Sequence, residues 1–394
     1  MKAQKHQPIR LLVTGGAGFI GANFVHYWLA NHPEGRVVVL DALTYAGNLV
    51  SLGPSAHKPG YRFVHGDIGD DALVKTLLRE ENIDTIVHFA AESHVDRSIQ
   101  GPDAFIATNI AGTHALLKAA RAIWLNGTPP ARRHRFHHIS TDEVYGSLSE
   151  GDPPFTESTG YAPNSPYAAS KASSDHLARA YRHTYGLDAT ISNCANNYGP
   201  YQFPEKLIPL AILDVLHGKP VPIYGDGSNI RDWLYVADHC RAIEQVIRYG
   251  EAGETYNIGG NNEWQNIDIA RLLCRLLDDA FTHDSTLSIR FPDAPPASGR
   301  RSGELITFVE DRPGHDWRYA IDAAKAEREL GFSPVERFET GIRKTIDWYL
   351  ANEDWWRDVM SGEYQSRIRP PSEPQINEGQ ELASSRKFVG RYPM

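Results

Sequence analysis

Residues 9–30 read IRLLVTGGAGFIGANFVHYWLA, and the order of residue types in this stretch decides the fold. The apolar run 9–14 suits a short buried strand of a parallel sheet. It passes straight into glycines and then into a helical pattern. Gly16, Gly18 and Gly21 satisfy G-x-G-x-x-G, while Gly15, Gly18 and Gly21 also satisfy G-x-x-G-x-x-G. Strand, glycines and helix in that order make a phosphate site: the glycines allow a tight turn and let backbone N–H groups approach a pyrophosphate at the helix N-terminus. Alone, such a turn is a weak sign, because any helix can follow glycines.

The next segments strengthen it. A second apolar strand at 36–40 ends in Asp41, twenty residues after Gly21, where a carboxylate can accept hydrogen bonds from an adenosine ribose. An Asp there prefers NAD to NADP, since a 2′-phosphate would meet a like charge. A third strand, YRFVHGDIGD, places Asp67 and Ile68 at its end. A fourth, DTIVHFAAESH, ends in Ala90 and Ala91, small enough for a cofactor to lie close. Helical stretches at 71–81 and 108–125 alternate with these strands, so the fold class is α/β, a doubly wound parallel sheet of Rossmann type. Residues 91–106 are polar and read as a long loop at the carboxyl end of a strand, where α/β proteins bind ligands.

The length of 394 residues suggests two domains. The expected division is 1–197 for the nucleotide-binding body with the catalytic residues, 198–356 mainly for a smaller C-terminal α/β lobe that binds substrate, and 357–394 for an extended or disordered tail. Apolar residues at 41% and charged residues at 23% exclude wholesale disorder. A net charge of −9 argues against a nucleic-acid partner, but leaves room for local basic residues that hold a small anionic ligand. Cys194, Cys240 and Cys274 are too few and too dispersed for a disulfide framework or a zinc ribbon. His88 and His94 have no further ligand at metal spacing, so no metal is expected. With no leader-like start and no apolar run long enough for a bilayer, the reading is a soluble cytoplasmic protein with no membrane partner.

Chemistry concentrates between residues 138 and 171. A strand at 135–140 is followed by STDEVYG, so Thr141, Asp142 and Glu143 should enter the crevice that holds the cofactor. The helical pattern from Ser165 carries Tyr167 and Lys171 at i and i+4, with Leu177, Ala180 and Tyr181 on one face and Gly186 at the end. A Lys ammonium beside a phenol is expected to lower the Tyr pKa and fit it to take a proton from a hydroxyl. After a strand at 189–194 the composition shifts near Tyr198 to Pro, Gly and aromatics, where Lys206, Arg231 and Arg312 are candidate diphosphate ligands. Gly225-Asp226-Gly227 is a turn. Residues 282–303 are rich in Pro, Ser and Gly and read as a mobile excursion, and a Trp-rich last helix is expected over 339–360.

Over most of residues 9–350 the chain resembles the dTDP-glucose 4,6-dehydratases, which are extended short-chain dehydrogenases/reductases. The strings TGGAGFIG, LDALTYAGNL, AAESHVDRSI, HHISTDEVYG, SPYAASKASSDHL, NNYGPYQFPEKLIPL, PIYGDGSNIRDWLYV, YNIGG and DRPGHDWRYAID carry the resemblance. It implies NAD as cofactor and a nucleotide-sugar substrate that loses water across C5 and C6 after oxidation at C4. It implies Glu143 as base, Asp142 as acid and Tyr167 as redox base, supported by Thr141 and Lys171. The implied NAD contacts are the glycines with Phe19, Ile20, Asp41, Thr44, Asp67, Ile68, Ala90, Ala91, Thr108, Tyr167, Lys171 and Asn197. The implied substrate contacts are Ser93, Thr141, Asn196, Lys206, Leu207, Pro222, Tyr224, Arg231, Asn266, Arg312 and His315. A homodimer through helices flanking the Tyr167 helix is implied as well. Nucleotide-sugar 4-epimerases generally carry small hydroxyl residues where this chain has Asp142-Glu143. A dehydratase or epimerase acting on another nucleotide sugar, such as UDP-glucose, is the alternative within the enzymes, and a catalytically dead NAD-binding protein is the alternative outside them.

Overall fold

β1 (Arg10–Thr14) turns into α1 (Phe19–Asn31) through Gly15, whose φ of +68° lies in the left-handed region that glycine tolerates. A side chain there would also strike the backbone after the fourth strand, with its Cβ 2.5 Å from the Ala90 nitrogen. The computed structural model describes residues 5–125, 133–311 and 314–361. The chain continues through β2 (Arg36–Asp41), β3 (Tyr61–His65), α2 (Asp71–Glu80) and β4 (Thr85–His88). Residues 91–106, expected as loop, instead hold the short helices α3 (Val95–Gln100) and α4 (Asp103–Phe105). α3 begins where the His94 ring accepts the Arg97 N–H. A π-helical turn, Ile106–Gly112, then leads into α5 (Thr113–Trp124), so the helix expected from residue 108 starts irregularly.

β5 (Arg135–Thr141) is buried along its whole length and feeds α6 (Pro166–Tyr185), then β6 (Ala189–Cys194). The start of α6 is well determined: Ser165 Oγ accepts the Ala168 N–H at 3.1 Å and proline occupies the first turn. Gly186, with φ of +75°, ends it. On this helix Ala178 and Tyr181 are buried, whereas Ala180 faces solvent, contrary to the expected face.

β7 (Asn196–Tyr198), α7 (Leu207–Leu216), β8 (Val221–Tyr224), β9 (Ile230–Tyr235), α8 (Val236–Tyr249) and β10 (Thr255–Ile258) follow. The main sheet has seven strands in the order β10-β6-β5-β4-β1-β2-β3, every pair parallel. α1 and α8 cover one face through Phe24, Trp28, Ile243 and Ile247; α2, α5 and α6 cover the other through Val74, Leu117, Ala120 and Ala178. The strand order reverses between β1 and β4, which places a crevice at their carboxyl ends.

A cut at residue 198 does not divide the chain. α8 and β10 come later in sequence, yet β10 pairs with β6 and covers what would be an open sheet edge. The chain leaves the main body at β7, returns for α8 and β10, and leaves again for β11 (Glu263–Gln265), α9 (Asn266–His283), α10 (Thr286–Arg290) and β12 (Ile306–Val309). The smaller lobe has the sheet β11-β9-β7 and the parallel pair β12-β8. Its core gathers Ile212, Leu216, Leu273, Leu277, Phe338, Tyr349 and Trp356.

Residues 282–303 are packed, not loose. Leu287, Phe291 and Ala294 enter the lobe core, and Asp278 accepts both the N–H and the hydroxyl of Ser302. α11 (Ala324–Leu330) lies against β10 and α8. The single helix expected at 339–360 is two, α12 (Phe338–Ala351) and α13 (Glu353–Ser361), so residues 357–361 are helix and not tail. The remainder of the expected tail, 362–394, lies outside the described residues. Among the described residues no helix is long and apolar enough to cross a membrane, and no cluster of three or more His, Cys, Asp or Glu side chains is placed to hold a metal ion. His88 instead sits 2.7 Å from Thr14 Oγ1 and 2.9 Å from Thr113 Oγ1, and His94 caps α3.

Candidate active site

A cavity of about 500 Å³ opens where the carboxyl ends of β1, β2, β4, β5 and β6 meet β7, β8 and the start of α9. At its inner wall the turn after β1 supplies backbone and little else. A Cβ on Gly21 would lie 2.3 Å from the Gly15 carbonyl, whereas Gly18 has only that same carbonyl, at 3.3 Å. α1 has no side-chain cap at its N-terminus and no acidic residue in its first turn. The helix therefore presents uncapped N–H groups and the positive end of its dipole to the cavity. Asp41 is held at the end of β2 by the N–H groups of Ala17 and Leu43, both at 2.8 Å. Thr44, Asp67, Ile68, Ala90, Ala91 and Thr108 line the same wall.

The opposite wall carries the acids. Thr141, the last residue of β5, turns its hydroxyl to accept the Glu143 N–H at 3.3 Å and to donate to Asp142 Oδ1 at 3.4 Å. This cap folds Asp142–Tyr145 into one 3-10 turn and sets both carboxyls on the cavity. Asp142 is 1% exposed, and its Oδ2 has no hydrogen-bond partner among the described residues. Burial first, then the neighbouring Glu143 and Asp232 carboxylates, push the Asp142 carboxyl well above the usual range, which favours its protonated form.

Tyr167 and Lys171 project from the first turns of α6 into the same space. Lys171 Nζ donates to the Ile139 carbonyl at 2.7 Å. Burial lowers its pKa to about 8, opposed by Asp175 one turn later. The expected lowering of Tyr167 is not seen. Burial and the Glu143 carboxylate push its phenol well above the usual value, while a hydrogen bond with Thr141 pulls the other way. Burial is the largest cause, and Lys171 gives its hydrogen bond to a backbone carbonyl.

Across the cavity mouth, Lys206 Nζ donates to the Ser93 carbonyl at 3.0 Å. Arg231 is buried, gives hydrogen bonds to the carbonyls of Ile230, Asp316 and Trp317, and lies over the Tyr319 ring at 4.3 Å. His315 Nδ1 is 2.6 Å from Asp311 Oδ1. Phe19, Ile20, Asn196, Asn197, Leu207, Pro222, Tyr224, Asn266 and His315 line the cavity as well. Arg312 lies outside the described residues. The sequence reading missed Tyr45, Glu92, Cys194, Phe203 and Glu205, which also line it. Tyr45 stands inside the LTYAGNL string, and Cys194 sits at the carboxyl end of a core strand, so both had a positional signal.

Known proteins share this arrangement. A family model described as GDP-mannose 4,6 dehydratase matches residues 12–345. The dTDP-glucose 4,6-dehydratase of Salmonella typhimurium is 55% identical over 369 residues, covering 91% of this chain and 98% of its own. The chain belongs to the dTDP-glucose 4,6-dehydratases. A second member, from Xanthomonas campestris, is 56% identical over 357 residues, covering 90% of this chain and 97% of its own. The Streptomyces venezuelae dTDP-glucose 4,6-dehydratase, solved with NAD and TYD bound, superposes with a TM-score of 0.78 at 47% identity, covering 89% of this chain and 100% of that one. The UDP-glucuronic acid 4-epimerase of Bacillus cereus shares the fold, with a TM-score of 0.74 over 87% of this chain and 99% of that one, at 27% identity. The 4,6-dehydratase family thus shares its scaffold with epimerases.

Proposed function

We propose that this protein is an NAD-dependent hydro-lyase that converts dTDP-glucose to dTDP-4-dehydro-6-deoxy-glucose. The observation that carries the reading is a fully buried Asp142 adjacent to a less buried Glu143, in one cavity with Tyr167 and Lys171. The cavity fits the cofactor: Gly15 and Gly21 leave no room for side chains, α1 opens uncapped beneath Gly18, and Asp41 is fixed at the end of β2. The turn after β1 would hold the pyrophosphate, Asp41 the adenosine ribose, and Tyr167 and Lys171 the nicotinamide end. NAD held there would supply the hydride acceptor for oxidation at C4 and the hydride donor for reduction at C6, with no net change in the cofactor.

The chain's own residues do the proton work. Tyr167 Oη takes the C4 hydroxyl proton, with Lys171 one turn along the same helix. The resulting ketone acidifies C5, and Glu143 removes the C5 proton. Asp142 protonates the C6 hydroxyl, which leaves as water. Two adjacent carboxyls can hold opposite protonation states because one is fully buried and the other is not. Thr141 orients the pair and touches the phenol. Ser93, Asn196, Lys206, Leu207, Pro222, Tyr224, Arg231, Asn266, Arg312 and His315 are proposed substrate contacts, with the basic residues on the diphosphate.

We also propose a homodimer through the helices that flank α6, where Ile106 in the turn before α5, Leu125 just after α5 and Tyr185 at the end of α6 are 40–52% exposed. The three cysteines are buried and unpaired, in keeping with a reducing cytoplasm. Side-by-side turnover with dTDP-, UDP- and GDP-glucose tests the substrate: a 4-keto product from dTDP-glucose supports the reading, and turnover of UDP-glucose instead would sink it.

A further inference from the structure

Asp175 lies one helical turn beyond Lys171 and is fully shielded from solvent. A carboxylate so placed is costly unless hydrogen bonds and a counter-charge hold it. Ser140 Oγ, from β5, and Tyr161 Oη, from the segment before α6, each donate to its Oδ2 at 2.9 Å. Its Oδ1 lies 3.2 Å from Nε2 of His138, a ring that burial keeps neutral. Arg179, from the next turn of α6, donates to the same Tyr161 hydroxyl at 2.8 Å. Tyr145 on the 3-10 turn, Cys194 on β6 and His88 on β4 are further titratable groups around the pair, and all three are held neutral by burial. Lys171 is thus the cation that α6 sets beside Asp175 on the cavity side, and Asp175 is the carboxylate that offsets the burial of Lys171.

We infer that Asp175 is a positioning residue for the redox step: its buried charge keeps Lys171 an ammonium, and its bond to Ser140 registers α6 against the strand that ends in Thr141, Asp142 and Glu143. A neutral hydrophobic residue in its place would leave the Ser140 and Tyr161 hydroxyls without this acceptor and a buried ammonium with the Ile139 carbonyl. Asparagine is the sharper probe, because its amide oxygen can still accept from Ser140 and Tyr161 while the charge is gone. Without that charge, burial acts on Lys171 unopposed, and the ammonium is lost at lower pH.

The inference rests on the dehydratase reading, so the native pH profile of dTDP-glucose turnover is measured first. Asp175→Asn is then compared in two ways: as overall turnover, and as the rate of reduced-cofactor formation in a Glu143→Gln background, which removes the Glu143 titration and stops the reaction after oxidation. The expected variant has native NAD content and melting profile, and its alkaline limb moves down by about one to three pH units. A folded, NAD-bearing Asp175→Asn with an unmoved limb overturns the inference, as does a rate reduced by one factor at every pH, which is what lost packing alone would give. If Asp175→Asn does not fold, Asp175→Ser removes the same charge while leaving a hydroxyl that can accept from a neighbouring donor. A limb moved down then supports the inference, and an unmoved one overturns it. A native enzyme with no dehydratase activity sinks the underlying reading, and this inference with it; an active native enzyme with an unmoved variant sinks this inference alone.

Discussion

The end of β5 and the first turns of α6 face each other across one cavity and hold their chemistry by different means. Asp142 and Glu143 stand on a turn of four residues fixed by one threonine hydroxyl. Tyr167 and Lys171 stand on a helix of 20 residues, capped by Ser165 and tied into the body through Lys171 and Asp175. The short turn lets two carboxyls sit side by side with unequal burial, which in the proposed reaction separates acid from base. The long helix fixes a phenol in place, as the proposed redox step requires. The proposed reaction is thus divided between two supports, oxidation on the helix and loss of water on the turn.

Removing the phenol should break the comparison most severely. Tyr167→Phe is expected to lower kcat by about ten-thousand-fold, and rapid mixing should show no reduced cofactor at any time. A Tyr167→Phe enzyme that still built up reduced cofactor would mean that the two regions do not divide the work in this way. Asp142→Asn, on the other wall, should cost about a hundred-fold and leave oxidation intact, so reduced cofactor becomes visible before product.

Gly15→Ala serves as the control that should harm both walls together. A left-handed backbone and a Cβ 2.5 Å from the Ala90 nitrogen should cost about 1–3 kcal/mol and lower the NAD content of purified protein. Full NAD content in that variant would contradict the assigned phosphate turn.

How much of this was legible in the sequence follows from how local each cause is. The glycine turn, Asp41, the acid pair and the Tyr167–Lys171 spacing are patterns over a few residues with a backbone or chemical requirement, so they could be read directly. The return of α8 and β10 to the main sheet depends on strand pairing across 60 residues of chain, and no local pattern announces it. Residues 282–303 misled through composition, although Leu287 and Phe291 at helical spacing were the sign that they pack. The raised Tyr167 was illegible because the spacing to Lys171 shows the ammonium but not the carboxylate facing the phenol.

Titration sharpens the α6 side. Burial lowers Lys171 to about 8, so its ammonium is present below that value and lost as pH rises through it. Oxidation measured in single turnover should therefore weaken above about pH 8, whereas a flat profile to pH 10 would exclude a required ammonium. The smallest expected effect is that of Ser165→Ala. Loss of the cap should cost about 1 kcal/mol in thermal unfolding and slow oxidation more than elimination, because it frays the turn that carries Tyr167 and leaves the β5 turn untouched.

The most direct measurement of the division of labour is the near-ultraviolet absorbance of enzyme-bound cofactor after Glu143→Gln protein is mixed with dTDP-glucose. The account predicts that reduced cofactor accumulates and persists, because C4 is oxidised and the C5 proton has no base to receive it. Normal turnover, or an absorbance that never rises while Tyr167 and Lys171 are intact, would contradict it.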